Sequence, residues 1–270
     1  MVQLKKTKTE VVAKRALEEA SKDYIPARVS DFDDLIENHG IERGSTILIA
    51  GGCGTGKTTF AMQSLYNGLL HGEKAIYITF EEPPEKILKH SYRNFGWGLE
   101  KFRQEGKFAI IKMDPFRIAR NVEATLLQKR GDLLIEIEGF QLPFTPDKLA
   151  VDSLSALEIA FKGNMENYRV YVMHLFEMLD SYNSVNLVIT ETELGPDVYT
   201  RSGMEEFLAD GVVVLYNVRV GSKRERALEI IKLRFSDHVK KLVPFVITSN
   251  GIEIPVQKSA RDILAEASTQ

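Results

Sequence analysis

Between positions 51 and 58 the chain reads GGCGTGKT. The spacing G-x-x-x-x-G-K-T is that of a phosphate-cradling loop. Gly51, Gly52, Gly54 and Gly56 let successive backbone N–H groups turn toward one centre and form an anion nest. Cys53 and Thr55 are the small residues between them. A helix starting at Lys57 adds the positive end of its dipole. Lys57 has the length and charge to reach β- and γ-phosphates, the Thr58 hydroxyl is a Mg2+ ligand, and Thr59 continues the binding segment. A nucleoside triphosphate with Mg2+ is therefore the expected ligand.

Three further groups have the right chemistry to act on a bound triphosphate. Asp152 follows the apolar run Leu149, Ala150 and Val151, so a carboxylate ends a buried strand and can complete the Mg2+ shell beside Thr58. Glu81 and Glu82 are adjacent and point to opposite sides if the backbone stays extended. One of them can orient or deprotonate a water; the alternative is a solvated acidic strand end before Pro83 and Pro84. Lys232 and Arg234 alternate on one strand and share a face, with His238 in the next turn. By themselves they read as ordinary solvated charges on a sheet.

These residues need a scaffold that gathers strand ends. Residues 46–50 (TILIA) are the buried strand before the loop, and residues 61–69 carry apolar positions at Ala61, Leu65 and Leu69, the spacing of a helix. Residues 74–80 (KAIYITF), 108–113 (FAIIKM), 149–152 (LAVD) and 187–190 (LVIT) read as further strands. Helical spacing over 85–96 and 167–182 separates some of them. Residues 212–216, 227–234, 243–248 and 252–254 read as a meander. The fold class is α/β: a mostly parallel sheet flanked by helices and extended by an antiparallel C-terminal ribbon. Ligands of such sheets bind at the carboxyl ends of the strands, where the loop, Glu81-Glu82, Asp152-Ser153 and Thr190-Glu191 all lie. Upstream, residues 9–22 have helical spacing, and Asp31 is expected to cap a short helix that ends at Gly40. Residues 114–146 fit no single pattern, and 133–140 suits helix or strand equally.

Composition narrows the class. The 270 residues suit one large α/β domain. With 35 basic and 38 acidic residues the net charge is −3, which gives no global pull toward nucleic acid. One cysteine excludes an intramolecular disulfide. The charged N-terminus does not read as a signal peptide, and no stretch approaches membrane-spanning length. A cytoplasmic protein with no membrane partner is expected.

Several stretches together are more specific than the loop alone. DFDDLIENHGIERGSTILIAGGCGTGKTTF, YITFEEPPEKI, LAVDSLSAL, GMEEFLADGVVVLYN, RALEIIKLRFSDH and PFVITSNGIEI span residues 31–254. The chain resembles the KaiC family within the RecA-like ATPases. The resemblance implies a RecA-like P-loop core over 28–256; the residues outside it read as a helical leader over 1–27 and a charged tail over 257–270. It also implies a homohexameric ring with ATP between subunits. Glu81 and Glu82 would be the catalytic carboxylates and Asp152 the second acidic metal-site residue. Lys232, Arg234 and His238 would reach the phosphates of ATP held by the neighbouring subunit, and Arg226 and Lys240 would flank its base or ribose. Clock members of the family have two such halves, and the kinase half has a Ser-Thr pair where this chain has Glu206 and Phe207. The ATPase half is the better likeness, and autophosphorylation is not expected.

Three functional readings follow. The first is a slow ATPase switch read by a protein partner. The second is a RecA-like ATPase on single-stranded DNA, for which residues 193–203 (ELGPDVYTRSG) offer a poor basic groove and the turn 221–226 (GSKRER) a better one. The third is a nucleotide-gated scaffold with little hydrolysis.

Overall fold

The structure is a computed structural model that describes residues 23–128, 140–192 and 203–255. The expected leader helix over 9–22, most of the ambiguous segment 133–140, the loop 193–202 and the tail 257–270 lie outside the described residues.

The strands are β1 (Tyr24–Ile25), β2 (Ile41–Glu42), β3 (Thr46–Gly51), β4 (Ala75–Thr79), β5 (Phe108–Lys112), β6 (Lys148–Asp152), β7 (Val185–Glu191), β8 (Gly211–Val220), β9 (Lys223–Leu233), β10 (Val243–Thr248) and β11 (Gly251–Glu253). The helices are α1 (Lys57–Leu70), α2 (Pro84–Phe95), α3 (Leu99–Gln104), α4 (Pro115–Gln128), α5 (Leu154–Ala160), α6 (Met165–Ser181) and α7 (Glu205–Leu208). Nine strands form one sheet in the order β11-β10-β9-β8-β3-β7-β6-β4-β5. From β8 to β5 every neighbour is parallel, and β9, β10 and β11 add antiparallel pairings. This is the parallel sheet with an antiparallel ribbon that the sequence pattern implies.

The apolar runs are continuous because both sheet faces are covered. Along β3, Ile47 and Ile49 join a cluster with Phe60, Leu65 and Leu69 of α1. Leu48 and Ala50 face the other way, toward Leu154 of α5 and Leu175 of α6. Period-two alternation thus splits one strand between two cores.

Several sequence expectations are corrected. Asp31 does not cap a helix ending at Gly40; residues Ser30–Leu35 form a 3-10 turn whose cap Ile36 is already extended and bridges to His238. The turn between β8 and β9 is shorter than 221–226, because Lys223 already pairs with Val220. Residues 115–128, unreadable by pattern, are helix α4. Ile25 and Ala27, assigned to the leader, are buried in the core.

A buried polar cluster ties this N-terminal segment to the sheet. Lys148, the first residue of β6, is wholly buried, and its Nζ lies 3.0 Å from Glu73 Oε2. The same ammonium faces Ser64 O at 3.3 Å and Ala27 O at 3.4 Å. Glu73 Oε1 accepts from Arg28 Nε at 2.9 Å. Asp33 accepts from the N–H groups of Ala27 and Arg28 at 2.6 and 2.8 Å. Burial lowers the Lys148 pKa, and Glu73 is the charge that opposes this most strongly.

Glu73→Ala leaves a buried ammonium without its carboxylate and is expected to cost roughly 3–5 kcal/mol, read from urea unfolding. The double variant Glu73→Ala/Lys148→Met should recover most of that loss; an unchanged midpoint in Glu73→Ala would contradict the assignment. A second prediction concerns pH. Burial, reinforced by the charge of Asp210 and opposed by Arg234, raises the Asp180 pKa to about 6. The folded protein therefore binds this proton more tightly than the unfolded chain, and stability falls as pH rises from 3.8 to about 6. Asp180→Asn should raise the thermal midpoint at neutral pH and lose that advantage below about pH 4. An equal gain at both pH values would count against it.

Candidate functional site

The sheet order decides what meets what. The chain leaves β3, skips two positions to make β4, then returns to fill the gap with β6 and β7. The carboxyl ends of four neighbouring strands, at Gly51, Glu191, Asp152 and Thr79, therefore share one edge. A cavity of about 380 Å³ opens there, lined by the glycine loop, Lys57, Asp152, Glu81 and Glu191 among others.

The loop's glycines have distinct reasons. A Cβ at Gly51 would come within 2.4 Å of Leu215 O. Gly56 has φ +105, and a Cβ would meet Ile247 Cδ1 at 2.8 Å. Gly52 has open space around it, so no internal contact requires a glycine there; a bare backbone facing a ligand does. Gly56 caps α1 with no side-chain hydrogen bond, so no side chain satisfies the first-turn N–H groups there. Lys57 Nζ donates to Gly51 O at 2.7 Å and Gly52 O at 2.9 Å, which holds the ammonium across the loop. Thr55 Oγ1 donates to Gly52 O at 3.0 Å. Cys53 is exposed on the loop, and Thr59 stands in the first turn of α1 at the cavity wall.

Asp152 is the hinge of the acidic side. Its Oδ2 accepts from Thr58 Oγ1 at 2.9 Å and from the Tyr77 hydroxyl. Burial raises the Asp152 pKa, and the two hydroxyl bonds oppose that rise. Burial, then the adjacent Asp152 charge, pushes Tyr77 far above the phenol range. Burial lowers the Lys57 pKa, with Glu191 and Asp152 pulling it back. Thr58 and Asp152 present hard oxygen donors in direct contact, a pair that suits Mg2+. Among the described residues no cluster of three or more His, Cys, Asp or Glu could hold a metal alone. Mg2+ here would take its remaining ligands from phosphate and water.

Glu81 and Glu82 diverge as their adjacency requires. Both backbone N–H groups donate to Thr79 Oγ1, at 3.2 and 3.1 Å. The Glu81 carboxylate accepts from Ser153 Oγ at 2.8 Å, beside Asp152. The Glu82 carboxylate is paired with Lys86 one turn into α2. Both line the cavity, but Glu81 is the one coupled to the metal-side residues.

The cations divide into two places. Lys232 Nζ donates to Ala209 O at 2.6 Å and Glu206 O at 3.2 Å. Arg234, just past the end of β9, pairs with Asp210 at 3.0 Å and donates to Phe207 O at 3.4 Å. Asp210 also bonds Thr46, the first residue of β3. Lys232 and Arg234 are therefore brought together, but near the start of β3, roughly 17 Å along the strand from Gly51. Arg226 lies elsewhere: its guanidinium reaches Gly54 O of this chain's own loop, at 3.3 and 3.4 Å. His238 is turned inward and buried, its pKa lowered chiefly by that burial. Lys240 is exposed and pairs with Asp237 at 3.3 Å.

Sequence pattern gave no role to Tyr77 or Glu191. Tyr77 reads as one more core residue of KAIYITF; its signal is that it shares a strand face with Thr79, two positions on. Glu191 was visible as a strand end, but its nearness to Lys57 depends on β7 lying next to β3.

The chain is similar to known proteins. The family model described as "ATPase: KaiC" matches residues 25–259. The circadian clock oscillator protein KaiC of Acaryochloris marina is 36% identical over 236 residues, 85% of this chain and 43% of that protein. Its counterpart in Synechococcus elongatus is 35% identical over 233 residues, 84% of this chain and 43% of that protein. The chain thus spans less than half the length of these curated relatives. A KaiC-like protein from the hyperthermophilic archaeon Pyrococcus horikoshii superposes with TM-score 0.70 at 29% identity, over 86% of this chain and 99% of that one. The glycine loop, the acidic strand ends and the RecA-like sheet therefore belong to a member of the KaiC family of ATPases.

Proposed function

We propose that this chain is a Mg2+-dependent ATPase whose active sites form between copies of itself in a homohexameric ring. The observation that carries this reading is the separation of the two halves of the site. The loop, Asp152 and Glu81 lie at one edge of the sheet, and Lys232 and Arg234 lie at the other. Lys232 and Arg234 therefore do not flank this chain's own phosphate loop. Head-to-tail contacts would bring one subunit's cations to the next subunit's loop, and such contacts form a ring where the rotation between subunits closes.

In this reading residues 51–59 cradle the phosphates, and Lys57 turns from the loop carbonyls toward them. Thr58 and Asp152 hold Mg2+, whose chemistry is to neutralise charge developing on the phosphoryl oxygens. Glu81 orients the attacking water with Ser153 fixing its carboxylate, and Glu82 steadies the strand end through Lys86. Lys232 and Arg234 stabilise transition-state charge in trans, so hydrolysis depends on assembly. His238 supports the turn after β9 from within, and Lys240 lies at the rim. Arg226, beside Gly54, serves this chain's own loop. Phe207 and Phe235, both about three-quarters exposed beside Arg234, suit burial against a second copy. The output is a slow conformational switch for a protein partner, in the cytoplasm; no described helix is long and apolar enough to cross a membrane. Glu206 and Phe207 offer no hydroxyl for autophosphorylation.

Lys57→Ala should abolish ATP binding, measured with a fluorescent analogue. Arg234→Ala should keep ATP affinity within a few-fold while phosphate release falls roughly 100-fold, the scale of losing one transition-state donor. Full turnover in Arg234→Ala would overturn the trans assignment.

A further inference from the structure

The two cations proposed to act in trans are held by one short segment, and one side chain in it, that of Asp210, pairs with Arg234. Residues 206–210 run from the end of α7 into β8. Lys232 is bound by two of their carbonyls, Glu206 O and Ala209 O. Arg234 is bound by the Asp210 carboxylate and by Phe207 O. The segment is itself anchored: Tyr168 on α6 donates its hydroxyl to Glu205 Oε1 at 2.6 Å, and both residues are buried.

Asp210 differs from the carbonyls because it joins two elements. Its Oδ1 accepts from Arg234 Nη1 at 3.0 Å, and its Oδ2 accepts from Thr46 N at 3.0 Å. Its backbone repeats the pattern: Asp210 N donates to Thr46 O at 2.9 Å, and Arg234 N donates to Asp210 O at 2.8 Å. Four hydrogen bonds therefore lock Arg234 and the first residue of β3 to one aspartate. Arg234 is otherwise a long, exposed side chain beyond the end of its strand, 46% accessible. Such a side chain loses rotamer freedom when it meets a ligand, and a partner that fixes it beforehand removes that loss. The bonds to Asp210 and Phe207 use two of the five guanidinium N–H groups and leave others for an anion.

We infer that Asp210 is a positioning residue for ATP turnover: it presents Arg234, in register with the chain's own loop strand, to the phosphates of the neighbouring subunit. This rests on the ring reading above. Asp210 touches no substrate; it acts through Arg234.

The test uses full-length subunits mixed into rings. A hydrolysis-dead subunit, Glu81→Gln/Glu82→Gln, is doped in about ninefold excess over wild type, so nearly every wild-type site receives its cations from a dead neighbour. This mixture sets the baseline of phosphate release per wild-type subunit. Adding Asp210→Asn to the dead subunit should lower that release about tenfold with KM for ATP nearly unchanged, because only orientation is lost. Adding Arg234→Ala instead should lower it at least as far. If Arg234→Ala lowers it and Asp210→Asn does not, the inference is wrong and the ring stands. If neither lowers it, the ring reading fails and takes the inference with it. Where Asp210→Asn does not enter the ring, Asp210→Glu takes its place. Its carboxylate, one methylene longer, displaces the guanidinium, so the same loss is expected. A merely structural aspartate would change assembly or the thermal midpoint but not the kcat of an intact neighbour.

Discussion

A half-buried carboxylate shared by two hydroxyls joins the phosphate loop to the sheet. Asp152 Oδ2 takes Thr58 from the start of α1 and Tyr77 from the middle of β4. Three elements distant in sequence are thereby fixed at one atom. The arrangement is electrostatically expensive, since Asp152, Glu81 and Glu191 crowd around a single ammonium. Burial disfavours both the carboxylate and the ammonium, and each helps to keep the other charged. A divalent cation with phosphate oxygens is the partner that such a set of oxygen donors suits.

The parallel register extends this constraint across the molecule. Because β3 runs unbroken from Thr46 to Gly51, it connects the edge that holds the loop to the edge that holds Arg234 through Asp210. A strand hydrogen-bonded on both sides to β7 and β8 does not flex independently. The loop and the Arg234 cradle therefore stand at the two ends of one firmly paired strand.

Much of this was legible from residue types. The loop, the strand before it and the order of later strands follow from glycine spacing and apolar runs, and β3, β4, β6 and β7 appear within a few residues of their expected bounds. That Thr58 and Asp152 meet was readable because a hydroxyl after Gly-Lys and a carboxylate after an apolar run both belong at the carboxyl ends of parallel strands. Less was legible where local and tertiary forces disagree. Residues 31–40 have helical spacing, yet the bridge from Ile36 to His238 pulls the chain into extended form after one 3-10 turn. Tyr77 could not be distinguished from a core aromatic until β6 was placed beside β4. His238 reads as an exposed turn residue after Ser236 and Asp237, but is buried. Lys232 and Arg234 were grouped by alternation, and only the sheet revealed which edge they occupy.

The central claim is that one complete site needs two subunits. The direct measurement is phosphate release per subunit across a dilution series in Mg2+-ATP, with the particle mass read on the same samples. The account predicts that turnover per subunit collapses at the dilution where large assemblies give way to single chains. Constant turnover per subunit in particles of single-chain mass would contradict it.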